Sequence, residues 1–179
     1  PPKGAVVLFD GSHANIFHYR RDKKKEKPAQ MTADGLLRQL RGSGGILTRE
    51  AFGSCKLHLE FLLPFEPTHA GQGRSNSGCY LQGRYEVQIL DSFGLEGEEN
   101  ECGGVYSSRK RPRVNMCYPP LSWQTYDIEF VAATWDGGEK KTDAQLTVWH
   151  NGVKVYDKLV IDHSTTASPF REGSSDSPH

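Results

Sequence analysis

The chain is predicted to fold as an all-β antiparallel sandwich. Three observations carry the prediction. Apolar residues recur with a period of two rather than 3.6, an Asn-Gly turn joins two strand-like runs, and 19 glycines and 10 prolines punctuate 179 residues. No stretch carries the stripe of a long amphipathic helix. The length suits one domain with a real core. It is read as a single sandwich over residues 1–179, with a basic loop at 20–28 and an irregular tail from residue 164.

The strands follow in order. Leu57, Leu59, Phe61 and Leu63 alternate with Lys56, His58, Glu60 and Leu62, and Pro64 ends that run. Cys79–Gln82 and Tyr85–Asp91 form a second candidate hairpin joined by Gly83-Arg84. A two-residue loop there sets Gln82 opposite Tyr85 and Leu81 opposite Glu86. Cys79, Leu81, Glu86, Gln88 and Leu90 then share one face, and Tyr80, Gln82, Tyr85, Val87, Ile89 and Asp91 the other; a one-residue slip changes every pairing. Tyr126, Ile128, Phe130 and Ala132 alternate with Asp127, Glu129 and Val131. Residues 146–150 and 153–157 flank Asn151-Gly152, which supplies the positive φ angles of a type I′ turn. That hairpin puts Leu146, Val148, Val153 and Val155 on one face and Trp149, Lys154 and Tyr156 on the other.

Charge and cysteine usage narrow the function classes. Lys+Arg and Asp+Glu both number 22, so there is no basic surplus of the kind nucleic-acid binders carry. The basic run Arg20–Lys27 is broken by Asp22 and Glu26 and reads as a solvated loop. No apolar stretch approaches the ~20 residues of a membrane helix, and Pro1-Pro2-Lys3-Gly4 is no signal peptide. None of the four cysteines has C-x-x-C spacing, which disfavours a structural zinc site. Cys55 and Cys79 lie in apolar strand patterns and read as small core residues. Cys102 and Cys117 lie in loop-like segments, where a bridge would staple a long excursion and point to an oxidising compartment. Two free thiols are the alternative, since spacing leaves the connectivity open.

Several motifs together resemble one known family. They are Leu8-Phe-Asp-Gly11, Ser75-Asn-Ser-Gly78, the run Tyr85–Ser92 and the run Trp123–Phe130. In this order they are similar to the 3-keto-disaccharide (3-keto-glycoside) hydrolase domain. Asn100-Glu-Cys-Gly-Gly104 and the run Val114–Trp123 resemble a secreted bacterial branch of it. The resemblance implies a concanavalin A-like jelly-roll sandwich of two antiparallel sheets, a carbohydrate substrate and a secreted, periplasmic or cell-surface location. Family members continue through a Gly-Pro segment into a last strand with a Gln-Asp-His-Gly motif. That strand is therefore expected beyond Pro178-His179.

The chemistry of the residues sharpens this. Jelly-roll glycosidases of the ordinary kind place two carboxylates on one strand as Glu-x-Asp-x-Glu. Here the strand reads Glu86-x-Gln88-x-Leu90, so one carboxylate stands where two are needed. A ketone at C3 of the sugar acidifies the C2 proton, so a single base suffices for β-elimination of the aglycone, followed by hydration. That scheme also needs an electrophile for the enolate oxygen, for which a divalent metal is one candidate. Glu86 is the candidate base, with Gln88 and Asn76 as hydrogen-bonding partners of sugar hydroxyls. His150 or His58 is a candidate acid or metal ligand, and Tyr80 and Trp149 are candidate sugar contacts. Against this, a lone Glu on a sheet is more often solvated or salt-bridged, and Ser75–Gly78 is equally a self-bonded turn. The acidic loop Glu96–Glu101 lacks calcium-loop spacing. A non-catalytic carbohydrate-binding module on the same sandwich is the alternative reading.

Overall fold

A computed structural model describes residues 1–20, 29–38 and 44–172. The expected basic loop at 20–28 therefore lies, beyond Arg20, outside the described residues, as does the tail after residue 172. Two compact units are present, one of Pro1–Ala51 and one of Phe52–Pro178.

In the first unit, β1 (Phe17–Tyr19) pairs antiparallel with β2 (Ile46–Thr48). Met31 and Leu37 make an isolated bridge. Asp10 caps the turn of the Leu8-Phe-Asp-Gly11 motif by accepting the Ser12 N–H at 2.9 Å.

The second unit is a two-layer sandwich. Its larger layer is a four-stranded antiparallel sheet in the order β10-β9-β6-β3. These strands are β3 (Cys55–Leu62), β6 (Trp123–Val131), β9 (Ala144–His150) and β10 (Val153–Ile161). The period of two sends Phe61, Tyr126, Ile128, Phe130, Ala144, Leu146 and Val148 inward. Facing them is a hairpin of β4 (Ser77–Leu81) and β5 (Tyr85–Ile89), from which Leu81, Tyr85, Val87 and Ile89 complete the core. Burying such side chains contributes roughly 1.5–3 kcal/mol each, so this interface dominates the stability of the unit. A small hairpin of β7 (Thr134–Asp136) and β8 (Glu139–Thr142) forms a separate two-stranded sheet. The only helical element among the described residues is a 3₁₀ turn at Gly71–Gly73.

Three sequence expectations meet the structure here. The Asn151-Gly152 hairpin forms as expected, with φ of 50° and 79° and Val153 opposite His150. Its faces do not hold throughout, because the register shifts between Lys154 and Tyr156. An extra residue at that bulge brings Tyr156 opposite Val148, and both Val155 and Tyr156 are buried. The middle hairpin is offset by one from the expected register. Leu81, not Gln82, opposes Tyr85, so Tyr80 opposes Glu86. Gln82 and Gly83 both take positive φ, at 51° and 61°. Arg84 is an additional loop residue, its N–H bonded to the Leu81 carbonyl.

β5 is held on both edges. β4 pairs with one, and the segment after the acidic loop pairs with the other. Gln88 N–H donates to Gly104 O, and Tyr106 N–H donates to Glu86 O. The buried Tyr126 hydroxyl ties this segment to the large sheet. It donates to Gln88 O at 2.6 Å and accepts Gly103 N–H at 2.7 Å. Tyr126→Phe is expected to lower unfolding stability by about 1–2 kcal/mol, read as a shifted midpoint in urea melts. An unchanged midpoint would show that the hydroxyl holds nothing.

Candidate functional site

The one-residue register shift builds the site. With Tyr80 opposite Glu86 and Gly78 opposite Gln88, these residues share the face of the β4–β5 hairpin that points away from the core. Gly78 has no side chain, and the Glu86 carboxylate leans over it. A Cβ at Gly78 would lie 2.1 Å from Glu86 Oε1. The Tyr80 hydroxyl hydrogen-bonds the Glu86 side chain. Burial raises the Glu86 pKa above the usual carboxylate value, and the Tyr80 hydrogen bond partly offsets it.

Gln88 lies two residues further along the same face and is 1% exposed. Its Nε2 donates to Gln72 Oε1 at 3.1 Å and to Asn100 O at 3.3 Å. Gln72 in turn donates to Asn100 O at 2.7 Å. Asn76 Nδ2 donates to Gln72 O at 2.8 Å and to Gln72 Oε1 at 3.2 Å. These bonds fix the amide orientation and leave Gln88 Oε1 buried without a partner among the described residues. A buried acceptor left unpaired costs free energy comparable to a lost hydrogen bond. A hydroxyl donor placed there would recover it.

Beyond β5, Asp91 is buried and paired with Arg74. The described residues 165–172 contain no strand, yet they pack on the hairpin. Thr165 Oγ1 accepts Glu86 N–H at 3.1 Å. The Phe170 ring lies against Gly83, and Phe170 N–H donates to Gly83 O.

Four of the seven sequence-predicted site residues therefore come together: Glu86, Gln88, Tyr80 and Asn76. Three do not. His150 lies on the inner face of the large sheet, fully buried, with Nε2 2.9 Å from Gln124 Oε1. Its ring stacks edge-on with Tyr126 at 4.9 Å, and burial lowers its pKa to about 4. It is a neutral core side chain, separated from the Glu86 face by the sandwich interior. Trp149 points the other way on the same strand. It lies on the outer face of the large sheet with Lys154 Nζ 5.4 Å from its ring centre. His58 shares that outer face, and its Nδ1 meets Asp127 Oδ1 at 2.7 Å, which raises its pKa.

Among the described residues no three His, Cys, Asp or Glu side chains are grouped to hold a metal ion. A cleft of about 330 Å³ runs beside β10, lined in part by Arg109, Lys110, Asp143 and His163. It includes none of the Glu86 group and has no buried unpaired polar atom among its lining residues.

A family model described as the 3-keto-alpha-glucoside-1,2-lyase-like domain matches residues 4–174. The chain belongs to this family. It is similar to a crystal structure of an inferred glycosyl hydrolase from Parabacteroides distasonis, at 31% identity and a TM-score of 0.83. That match covers 95% of this chain and 71% of the other. A second inferred glycosyl hydrolase from the same organism aligns at 20% identity and a TM-score of 0.45, over 64% of this chain and 55% of its own. No curated protein matches. The 31% likeness and the observed layers agree with the all-β sandwich expected from the sequence.

Within this 3-keto-glucoside lyase-like domain, the sequence reasoning missed Gln72, Gly78 and Thr165. Gln72 had one signal, a polar residue flanked by two glycines just before the Ser75–Gly78 motif. Gly78 sat in that motif, but its role depends on a register that only the turn geometry decides.

The raised Glu86 pKa predicts a pH-dependent stability. The folded state holds the Glu86 proton more tightly than the unfolded chain. Stability from this group is therefore present below the unfolded carboxylate pKa and lost as pH rises through the folded one. Glu86→Gln is expected to raise the melting temperature relative to the parent at pH 8 more than at pH 4. An equal difference at both pH values would contradict a raised pKa.

Proposed function

We propose that the domain cleaves 3-keto-glycosides by removing the proton at C2 of the sugar, with Glu86 as the base. One observation carries the reading. A single buried carboxyl of raised pKa shares a sheet face with a buried, unpaired amide acceptor, Gln88 Oε1. Membership in the 3-keto-alpha-glucoside-1,2-lyase-like family supports it.

The chemistry follows from the residues. Displacement at C1 needs two carboxyls across the glycosidic bond, but the next polar residue along this strand is an amide. Proton removal beside a ketone needs one base. Glu86 takes the C2 proton, and the electron pair moves toward the C3 carbonyl oxygen. The pair then returns to form C1=C2 as the C1–O bond breaks, and the leaving oxygen takes the proton from Glu86, which restores the carboxylate. Water adds across the double bond to complete hydrolysis.

A base pKa above the ordinary carboxylate range suits this work, because a stronger base abstracts a weakly acidic C–H proton more readily. Tyr80 holds the carboxylate in place. Gln88 Oε1 accepts a sugar hydroxyl, and Asn76 and Gln72 line the rim. A sugar substrate of this kind fits the extracytoplasmic placement that the resemblance implies.

The test is aglycone release from a 3-keto-glucoside beside the unoxidised glucoside, each with and without EDTA. Release from the keto sugar alone is expected, falling about 10²–10⁴-fold in Glu86→Gln. EDTA sensitivity would assign a metal ion to the enolate oxygen. Equal release from both sugars, or an unaffected variant, would overturn the reading. Calorimetric sugar binding without turnover would make the domain a carbohydrate-binding module.

A further inference from the structure

Cys102 and Cys117 meet inside the second unit. Both are free thiols in this structure and lie beside each other, and the residues are 1% and 6% exposed. The same groups hold both. The Ser92 hydroxyl accepts Cys102 N–H at 3.1 Å and also bonds the Cys117 thiol. Cys117 Sγ lies 3.6 Å from the Leu90 carbonyl, and the Leu90 backbone also bonds Cys102. Cys102 Sγ is further fixed 3.2 Å from the Tyr126 hydroxyl. Cys55 and Cys79 differ. They are half-buried thiols packed against the edge of the core.

We infer that Cys102 and Cys117 form a disulfide, closed during folding by exchange with an external disulfide oxidant. The Cys117 thiolate attacks one sulfur of the oxidant, R–S–S–R, and expels RS⁻, which takes up the proton that Cys117 released. Cys102 then attacks the Cys117 sulfur, expelling a second RS⁻ that receives the Cys102 proton. The protein loses two electrons and two protons, and the oxidant leaves as two thiols. The order of attack follows the local chemistry. The Cys102 hydrogen bond lowers the Cys117 pKa to about 7, whereas burial pushes Cys102 up. Once closed, the bond is shielded by the core that buries both residues.

The bridge has a structural consequence at the site. Residues 103–116 lie between the two cysteines and include Gly103, Gly104 and Tyr106, whose backbone pairs with Gln88 and Glu86. Closing that loop in the unfolded chain favours the fold that carries the outer edge of β5. The inference does not depend on Glu86 being a base.

The experiment refolds the reduced chain in a glutathione redox buffer, quenches with acid, alkylates in denaturant and maps peptides by mass spectrometry. Two alkylated thiols, Cys55 and Cys79, and a linked Cys102–Cys117 peptide are expected. Reduction by a phosphine should lower the melting temperature of the oxidised protein by on the order of 10 °C. It should leave a Cys102→Ala/Cys117→Ala double variant unchanged. Four alkylated thiols, a Cys55–Cys79 link, or the same response in the double variant would overturn the inference. The peptide map decides alone if the double variant does not fold.

Discussion

The candidate site depends on the fact that β5 is hydrogen-bonded along both edges. β4 pairs with one side, and the Gly103–Tyr106 backbone pairs with the other through Gln88 N, Gln88 O and Glu86 O. The remaining donor, Glu86 N–H, goes to Thr165 Oγ1. A strand with its backbone saturated in this way has little freedom to shift or twist. Its inward residues Tyr85, Val87 and Ile89 are locked into the core, so Glu86 and Gln88 present a fixed face. The Tyr126 hydroxyl adds a strut from the opposite layer to the Gln88 carbonyl. A catalytic group built on such a strand is held more rigidly than one on a loop.

That face is chemically unusual in what it leaves unpaired. The chain surrounds Glu86 with a glycine and a tyrosine rather than a cation, so burial raises its pKa instead of a partner lowering it. The nearby Asp91 is treated the opposite way, buried against Arg74. Two carboxyls within one strand's length thus occupy different electrostatic states. One is held in an ion pair, and the other is left without a cation beside it. Gln88 completes the contrast, because both amide hydrogens are used internally while its oxygen is not.

Much of this was legible in the sequence. Period-two alternation located β3, β6 and β9 and their buried residues, because each strand has one core face and one wet face. Asn151-Gly152 announced its hairpin through the positive φ that Asn and Gly tolerate. The register of β4–β5 was not legible, since Gln82 is the residue that adopts left-handed geometry beside Gly83 and Gln carries no such signal. The bulge near Tyr156 was hidden for a related reason. An apolar aromatic residue reads equally well on either side of a strand until an inserted residue decides. His150 and Trp149 are adjacent on β9 and so point to opposite faces, which excludes them from acting together. Neither periodicity nor composition says that the Glu86 face is a third surface, distinct from both.

The most direct test follows the hydrogen on C2 of the sugar. A 3-keto-glucoside carrying deuterium at C2 is incubated with the domain in ordinary water, with a protein-free control for spontaneous exchange. Removal by Glu86 predicts that the label leaves C2 in step with aglycone release, and that the Glu86→Gln variant retains it. Aglycone released at the full rate with deuterium still on C2 would mean displacement at C1, and would contradict the role assigned to Glu86.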